Sequence, residues 1–292
     1  MLSTKQNDLL LVPYDFTKEA DTALAHASGI AKTGSDSVRL LHVINRETRA
    51  RLKKEGISEE DLKQKLASIA SNNTEKTGVQ TAWHVVEGSI FSAIAEDAKD
   101  ANADLIVLGT HGVSGMQHVL GADVMRILEN CHVPGIVVQQ KKIDEEGYNH
   151  IVLPIDENRF GKNKIAYAVA IARYFNAQVH VYSDFSSDEF IAKAIKNNTA
   201  QALETLREHG IPCEHIAQEN DDETFDQALV RYAVAIDAEL VVISSRPDER
   251  NVAALLFDRV EEEVINNKAM IPVLVVNPQQ DVSHLSIDIS TW

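Results

Sequence analysis

The chain has 292 residues, enough for two ordinary domains, and its 44% apolar and 25% charged content is that of a folded, water-exposed protein. A formal net charge of -16 sets up a field that repels polyanions, which argues against nonspecific binding to nucleic acid or to an anionic membrane surface. Two cysteines, Cys131 and Cys213, make no disulfide framework and fit a reducing compartment, while Leu9 to Val12 is too short for a signal-peptide core and no apolar run reaches membrane-spanning length, so the expectation is a cytoplasmic protein.

In chain order, short apolar runs alternate with segments of helical period. Strands are expected near 9–13, 38–44, 79–86, 104–108 and 135–139, and helices near 17–33, 58–76, 89–101 and 122–132. The basic stretch Arg46 to Lys54, mixed with Glu47 and Glu55, reads as a solvated loop or helix face. A second set follows, with strands near 150–155, 178–183, 211–217, 239–244 and 272–276 and helices near 161–175, 188–209, 223–237 and 256–269. The second set echoes the first. Leu11-Val-Pro-Tyr-Asp15 matches Val152-Leu-Pro-Ile-Asp156, Ala103-Asp-Leu-Ile-Val-Leu108 matches Ala238-Glu-Leu-Val-Val-Ile243, and Val133-Pro-Gly-Ile-Val-Val138 matches Ile271-Pro-Val-Leu-Val-Val276. Three matches in the same order define a duplicated domain. Strand–helix alternation implies right-handed crossovers and a mainly parallel sheet, with ligands bound beyond the C-terminal strand ends. The polar segment Gln139 to Asn149 joins the two halves.

The stretch Leu105 to Asp123 carries the clearest chemical pattern. An apolar strand runs into a loop with Gly109, Gly112, Gly115 and Gly121, and a helical segment starts near Ala122. Strand, Gly-rich loop and helix N-terminus form an arrangement that can hold phosphate on backbone N–H groups. The spacing is neither a dinucleotide fingerprint nor a P-loop.

Together, Val12-Pro-Tyr-Asp15, Leu40-Leu-His-Val43, Val86-Glu-Gly-Ser89, Leu108-Gly-Thr-His-Gly112, Gly121 and Val133-Pro134 resemble the universal stress protein family in its tandem form, over nearly all of residues 7–278. The resemblance implies two doubly wound α/β domains, each a five-stranded parallel sheet of order 3-2-1-4-5. They would occupy residues 1–141 and 142–278, with a C-terminal tail over 279–292, and pack as an internal pseudo-dimer through their last strands. It also implies a stress-response or signalling binding protein rather than an enzyme, with at most weak ATP hydrolysis. The implied ligand is ATP or another adenine nucleotide in the first domain. Its site would comprise Pro13, Asp15, Val43, Leu108, Gly109, Gly112, Gly121, Ala122 and Asp123. No metal site, nucleic acid or membrane partner is implied, and further homo-oligomerisation is left open. The alternative is a nucleotide-independent interaction scaffold with both sites degenerate.

Two departures bear on that site. Eight residues separate Gly112 from Gly121, one fewer than in the family pattern, and Ala122 and Asp123 stand where a Ser or Thr is expected. The missing hydroxyl removes a hydrogen bond worth roughly 0.5–1.5 kcal/mol. The added carboxylate opposes a phosphate. In the second half Ser244-Ser-Arg-Pro247 replaces the Gly-rich loop, and Pro247 lacks an N–H donor, so only Asp156 of the site remains. Arg246 reads as a solvated charge and His111 as a solvent-facing loop residue. His42 and His84 read as hydrogen-bonded core groups, and both cysteines as structural. Phe16-Thr-Lys-Glu19 after the first strand is not the pyrophosphate loop that an adenylating enzyme needs. The alternating tail residues Val282, Leu285, Ile287 and Ile289, with Trp292, are too apolar for a plain solvated tail and are expected to add an edge strand or dock in a groove.

Overall fold

A computed structural model describes residues 8–34, 36–110, 121–143, 147–158, 162–219, 223–245, 264–265, 267–277, 282 and 285. The chain divides into two compact units, one spanning Lys5–Lys142 and the other Ile143–Trp292.

The first unit runs β1 (Leu9–Pro13), α1 (Lys18–Gly34), β2 (Ser37–Ile44), α2 (Arg46–Glu55), α3 (Glu59–Thr77), β3 (Thr81–Glu87), α4 (Ile90–Asp100), β4 (Leu105–Gly109), α5 (Gly121–Glu129) and β5 (Gly135–Val138). Its strands pair in parallel in the order β3-β2-β1-β4-β5. The second unit runs β6 (His150–Ile155), α6 (Lys162–Phe175), β7 (Gln178–Ser183), α7 (Glu189–Glu208), β8 (Cys213–Ala217), α8 (Phe225–Ala235), β9 (Leu240–Ser244) and β10 (Val273–Val276). Its order, β8-β7-β6-β9-β10, is the same topology. Successive residues along β4, β5 and β10 are buried, so both sheet faces are covered there and the strands read as unbroken apolar runs. Duplication extends to polar detail. The first amide of β1 donates to Asp104 Oδ2 at 3.0 Å, and the first amide of β6 donates to Glu239 Oε2 at 2.7 Å.

Helix starts follow local chemistry. Ser58 and Asp61 form a capping box at α3, and Ser89, Asp188 and Thr224 cap α4, α7 and α8. Gly88, at φ +147, turns the chain from β3 into that cap, a conformation that suits glycine. The basic stretch after β2 is a complete helix, α2. Asn45 caps it through Thr48 N–H at 2.8 Å, left-handed Gly56 stops it, and Leu52 is its one buried side chain. The helix expected over 256–269 lies largely outside the described residues, as does most of the tail.

One histidine departs from the sequence reading. β3 is an outermost strand, and His84 is not in the core: its side chain is 44% exposed. Its Nδ1 lies 2.5 Å from Oδ1 of buried Asp97, which Arg39 also contacts at 3.2 Å. Cys131 is buried, and its thiol is pushed up to about 12 by burial, as befits a structural residue.

His26 on α1 is buried, and its Nε2–H donates to the Lys141 carbonyl at 2.8 Å, tying α1 to the chain beyond β5. Burial lowers its pKa to about 4, against some help from that hydrogen bond. The folded chain therefore takes up this proton near pH 4 and the unfolded chain near 6.5. The stabilisation is complete above pH 6.5 and is lost as the pH falls toward 4, by about 2 kcal/mol at pH 5. His42 and His180 are shifted in the same direction, each chiefly by burial. His26→Gln should shrink the stability lost between pH 7.5 and pH 5, measured by chemical denaturation, by about 2 kcal/mol; an unchanged pH dependence would mean that His26 is not held neutral.

Candidate functional site

Because β1, β2 and β4 are parallel, their C-terminal ends share one edge. A cavity of about 660 Å³ opens there, lined by Pro13 at the end of β1, Tyr14 and Asp15 after it, Leu41, His42 and Val43 of β2, and Leu108 and Gly109 of β4. Ala20 of α1, Ile90 and Ile94 of α4 and Ile127 of α5 complete the inner wall, and Asn45, Glu47, Thr48, Ala50, Arg51, Lys54 and Glu55 form a rim on α2.

Asp15 is held by the turn that follows it. Its Oδ1 accepts from Thr17 N–H at 3.1 Å and from Thr17 Oγ1–H at 2.5 Å, and Thr17 Oγ1 in turn accepts from Ala20 N–H in the first turn of α1. Among the described residues its other carboxylate oxygen has no hydrogen-bond partner. Phe16 makes this turn with φ +68, a left-handed conformation that costs a non-glycine residue about 1–2 kcal/mol. Its ring is pinned edge-on to Tyr14 and against His42, with Lys65 Nζ 4.7 Å above it. The Tyr14 hydroxyl donates to Asp21, and its pKa is raised chiefly by burial. His42 Nδ1–H donates to the Tyr14 carbonyl at 2.6 Å, which makes buried Nε2 an acceptor without a partner among the described residues. Burial lowers its pKa and keeps the ring neutral.

Five of the nine residues expected in the site, Pro13, Asp15, Val43, Leu108 and Gly109, thus line one cavity. Gly121, Ala122 and Asp123 open helix α5, on which Ile127 reaches the wall. Gly112 lies outside the described residues, with His111 and Gly115. The sequence reading missed the α2 rim and the apolar wall from α4. The signals for α2 were the Asn45 cap and the Gly56 stop, which carry no hydrophobic period.

Gly109 has a packing role. A Cβ there would lie 2.5 Å from the backbone C and O of Glu19 and 2.9 Å from Ala20 N. The glycine lets the α1 N-terminus pack on the end of β4, and this close approach is a backbone matter whatever the cavity holds.

The second unit departs from the first at the equivalent place. Asp156 keeps the position of Asp15 and accepts from Asn158 N–H at 3.0 Å. Pro13 is in register with Leu41, whereas Pro154 is in register with Tyr182, so Tyr182 stands where Leu41 lines the cavity and Asp184 where Val43 does. The buried Tyr182 ring stacks on Phe225 at 5.8 Å and on Tyr232 at 5.1 Å. Phe225 opens α8 as Ile90 opens α4. Aromatic rings therefore occupy the position of the first unit's apolar wall. Residues 246–250, with Arg246 and Pro247, lie outside the described residues.

Among the described residues no three or more His, Cys, Asp or Glu side chains are grouped so as to hold a metal ion, and no helix is long and apolar enough to cross a membrane.

These features are those of a twice-built doubly wound α/β protein with a pocket at the strand ends. The family described as "Universal stress protein family" matches residues 7–139 and again 147–277, and the chain belongs to it, carrying its domain twice. Two universal stress proteins of Methanocaldococcus jannaschii resemble single domains. One is 31% identical over 140 residues, 46% of this chain and 82% of the relative; the other is 29% identical over 153 residues, 45% and 94%. Among solved structures, a universal stress protein of Archaeoglobus fulgidus aligns with TM-score 0.72 at 16% identity, over 94% of this chain and all of its own. A putative universal stress protein of Pseudomonas aeruginosa aligns with TM-score 0.60 at 18% identity, over 96% of both chains. At these identities the likeness is one of fold.

The contact at Gly109 predicts that Gly109→Ala lowers stability by about 1–3 kcal/mol with no ligand present, measured by urea denaturation. A glycine serving only ligand approach would leave the ligand-free stability unchanged.

Proposed function

We propose that this chain is a nucleotide-responsive binding protein of the universal stress type that holds one adenine nucleotide, in the cavity of the first unit. One observation carries the reading: residues named by the family resemblance in three separate segments, after β1, on β2 and on β4, converge on one cavity. Its volume lies within the roughly 300–1,000 Å³ of small-molecule sites. Leu41, Val43, Ile90, Ile94 and Ile127 supply apolar walls for a planar base. Asp15, already fixed through one oxygen, supplies an acceptor for ribose hydroxyls with its orientation set in advance. The second unit keeps Asp156 but fills its apolar wall with Tyr182 and Phe225, and serves as a structural partner that binds no nucleotide.

A nucleotide-independent scaffold is the second reading, favoured by the packing role of Gly109 and by Ala122 and Asp123 at the start of α5.

Isothermal titration calorimetry on the full chain separates the two. ATP, ADP or AMP should bind with one site per chain. Asp15→Ala should weaken binding at least tenfold, the loss expected for a hydrogen bond to a charged group, and Asp156→Ala should change it less than twofold. Two sites per chain, or equal effects of the two variants, would refute the single-site reading. No binding of any of the three ligands would favour the scaffold.

A further inference from the structure

We propose that helix α2 is the anion-reading rim of the first unit's cavity: Arg51 and Lys54 engage the phosphate chain of the bound nucleotide and set the preference of the site for nucleotide over nucleoside. The proposal rests on the reading that this cavity takes an adenine nucleotide.

The first observation is what α2 does not do. It is a ten-residue helix with a single buried side chain, Leu52, so it adds little to the core. Its capping by Asn45, its stop at Gly56 and the 3.4 Å contact of Thr48 Oγ1–H with the Val43 carbonyl hold it against the end of β2 all the same. What the helix presents is a polar face toward the cavity.

The second observation is charge. In a chain of net charge -16, α2 carries five basic and two acidic residues. Arg49 is paired with Glu87 at 2.5 Å on the exposed side. Arg51 and Lys54 line the cavity instead, three residues apart and so on one helix face, and neither forms an ion pair among the described residues. Lys54 in the last turn also complements the helix dipole, an explanation that does not extend to Arg51.

The third observation is position. The charges of Arg51 and Asp15 both act on the buried His42 ring, which is bonded beneath the Tyr14 carbonyl. Arg51, Asp15 and His42 all line the one cavity. Glu47 and Glu55 share the rim, four residues before and after Arg51, and keep the unliganded rim near neutrality. At the start of α5, Ala122 offers no hydroxyl and Asp123 adds a carboxylate, a charge that cations on another element would offset. The guanidinium fork matches phosphate oxygens, and the lysine adds a point charge.

The test is calorimetry of the full chain with ATP and with adenosine, at low and at physiological salt. Arg51→Gln/Lys54→Gln should lower the ATP-to-adenosine affinity ratio at least tenfold and flatten the salt dependence of ATP binding, while the charge-conserving Arg51→Lys/Lys54→Arg should retain most of the ratio. If the wild type binds both ligands and the double Gln variant keeps its ratio, the proposal is overturned and the cavity reading stands. If ATP and adenosine weaken equally, α2 shapes the cavity without reading phosphate, and the proposal is again overturned. If the wild type binds neither ligand, the reading beneath it fails first.

Discussion

Parallel pairing of β1 with both β2 and β4 is the constraint on which the rest of the site depends. It forces three strand ends onto one edge, and every connection between them must cross by a helix and return. The chain leaving β1 has only the turn at Phe16 and Thr17 in which to start α1, and α1 must then lie against the end of β4. That geometry excludes a side chain at position 109. It also leaves Asp15 projecting from a turn whose shape is fixed by Thr17 and by the packed Phe16 ring. The cavity is the space that these connections leave between β2, α4 and α5, and α2 bounds it on the remaining side.

Where the sequence carried a physical period, it could be read. The buried strands are unbroken apolar runs, and β1, β4 and β9 fall where those runs fall. Pro13, Asp15, Val43, Leu108 and Gly109 could be named because the family resemblance attaches to short motifs at strand ends, which parallel topology gathers. Helix α2 was harder to read: burying only Leu52, it has no apolar face, and its caps are single-residue signals within a charged run. His84 was misread for a related reason. It sits in an apolar-looking segment on an outermost strand, and only the sheet order tells a central strand from an outer one. The reason for Gly109 was also hidden. A glycine before a loop suggests ligand approach, but the atoms it would meet belong to α1, far away in sequence.

The two halves show how one scaffold diverges without loss of fold. Strand order, the carboxylate that receives the first strand amide, and the aspartate after the first strand are all kept. Among the described residues, side-chain volume at the strand ends changes. Tyr182 for Leu41 and Phe225 for Ile90 put stacked rings where the first unit has an apolar cavity wall, and ring stacking itself stabilises that packing. Side-chain packing at the strand ends can thus diverge between two copies of a domain while the sheet beneath stays the same.

Hydrogen–deuterium exchange of the full chain, with and without saturating ATP, tests the central claim most directly, because it reports where the nucleotide sits. The account predicts slowed exchange in residues 13–17, 41–56 and 105–110 and unchanged exchange in residues 154–158 and 182–186. Equal protection of both sets, or protection confined to the second, would contradict it.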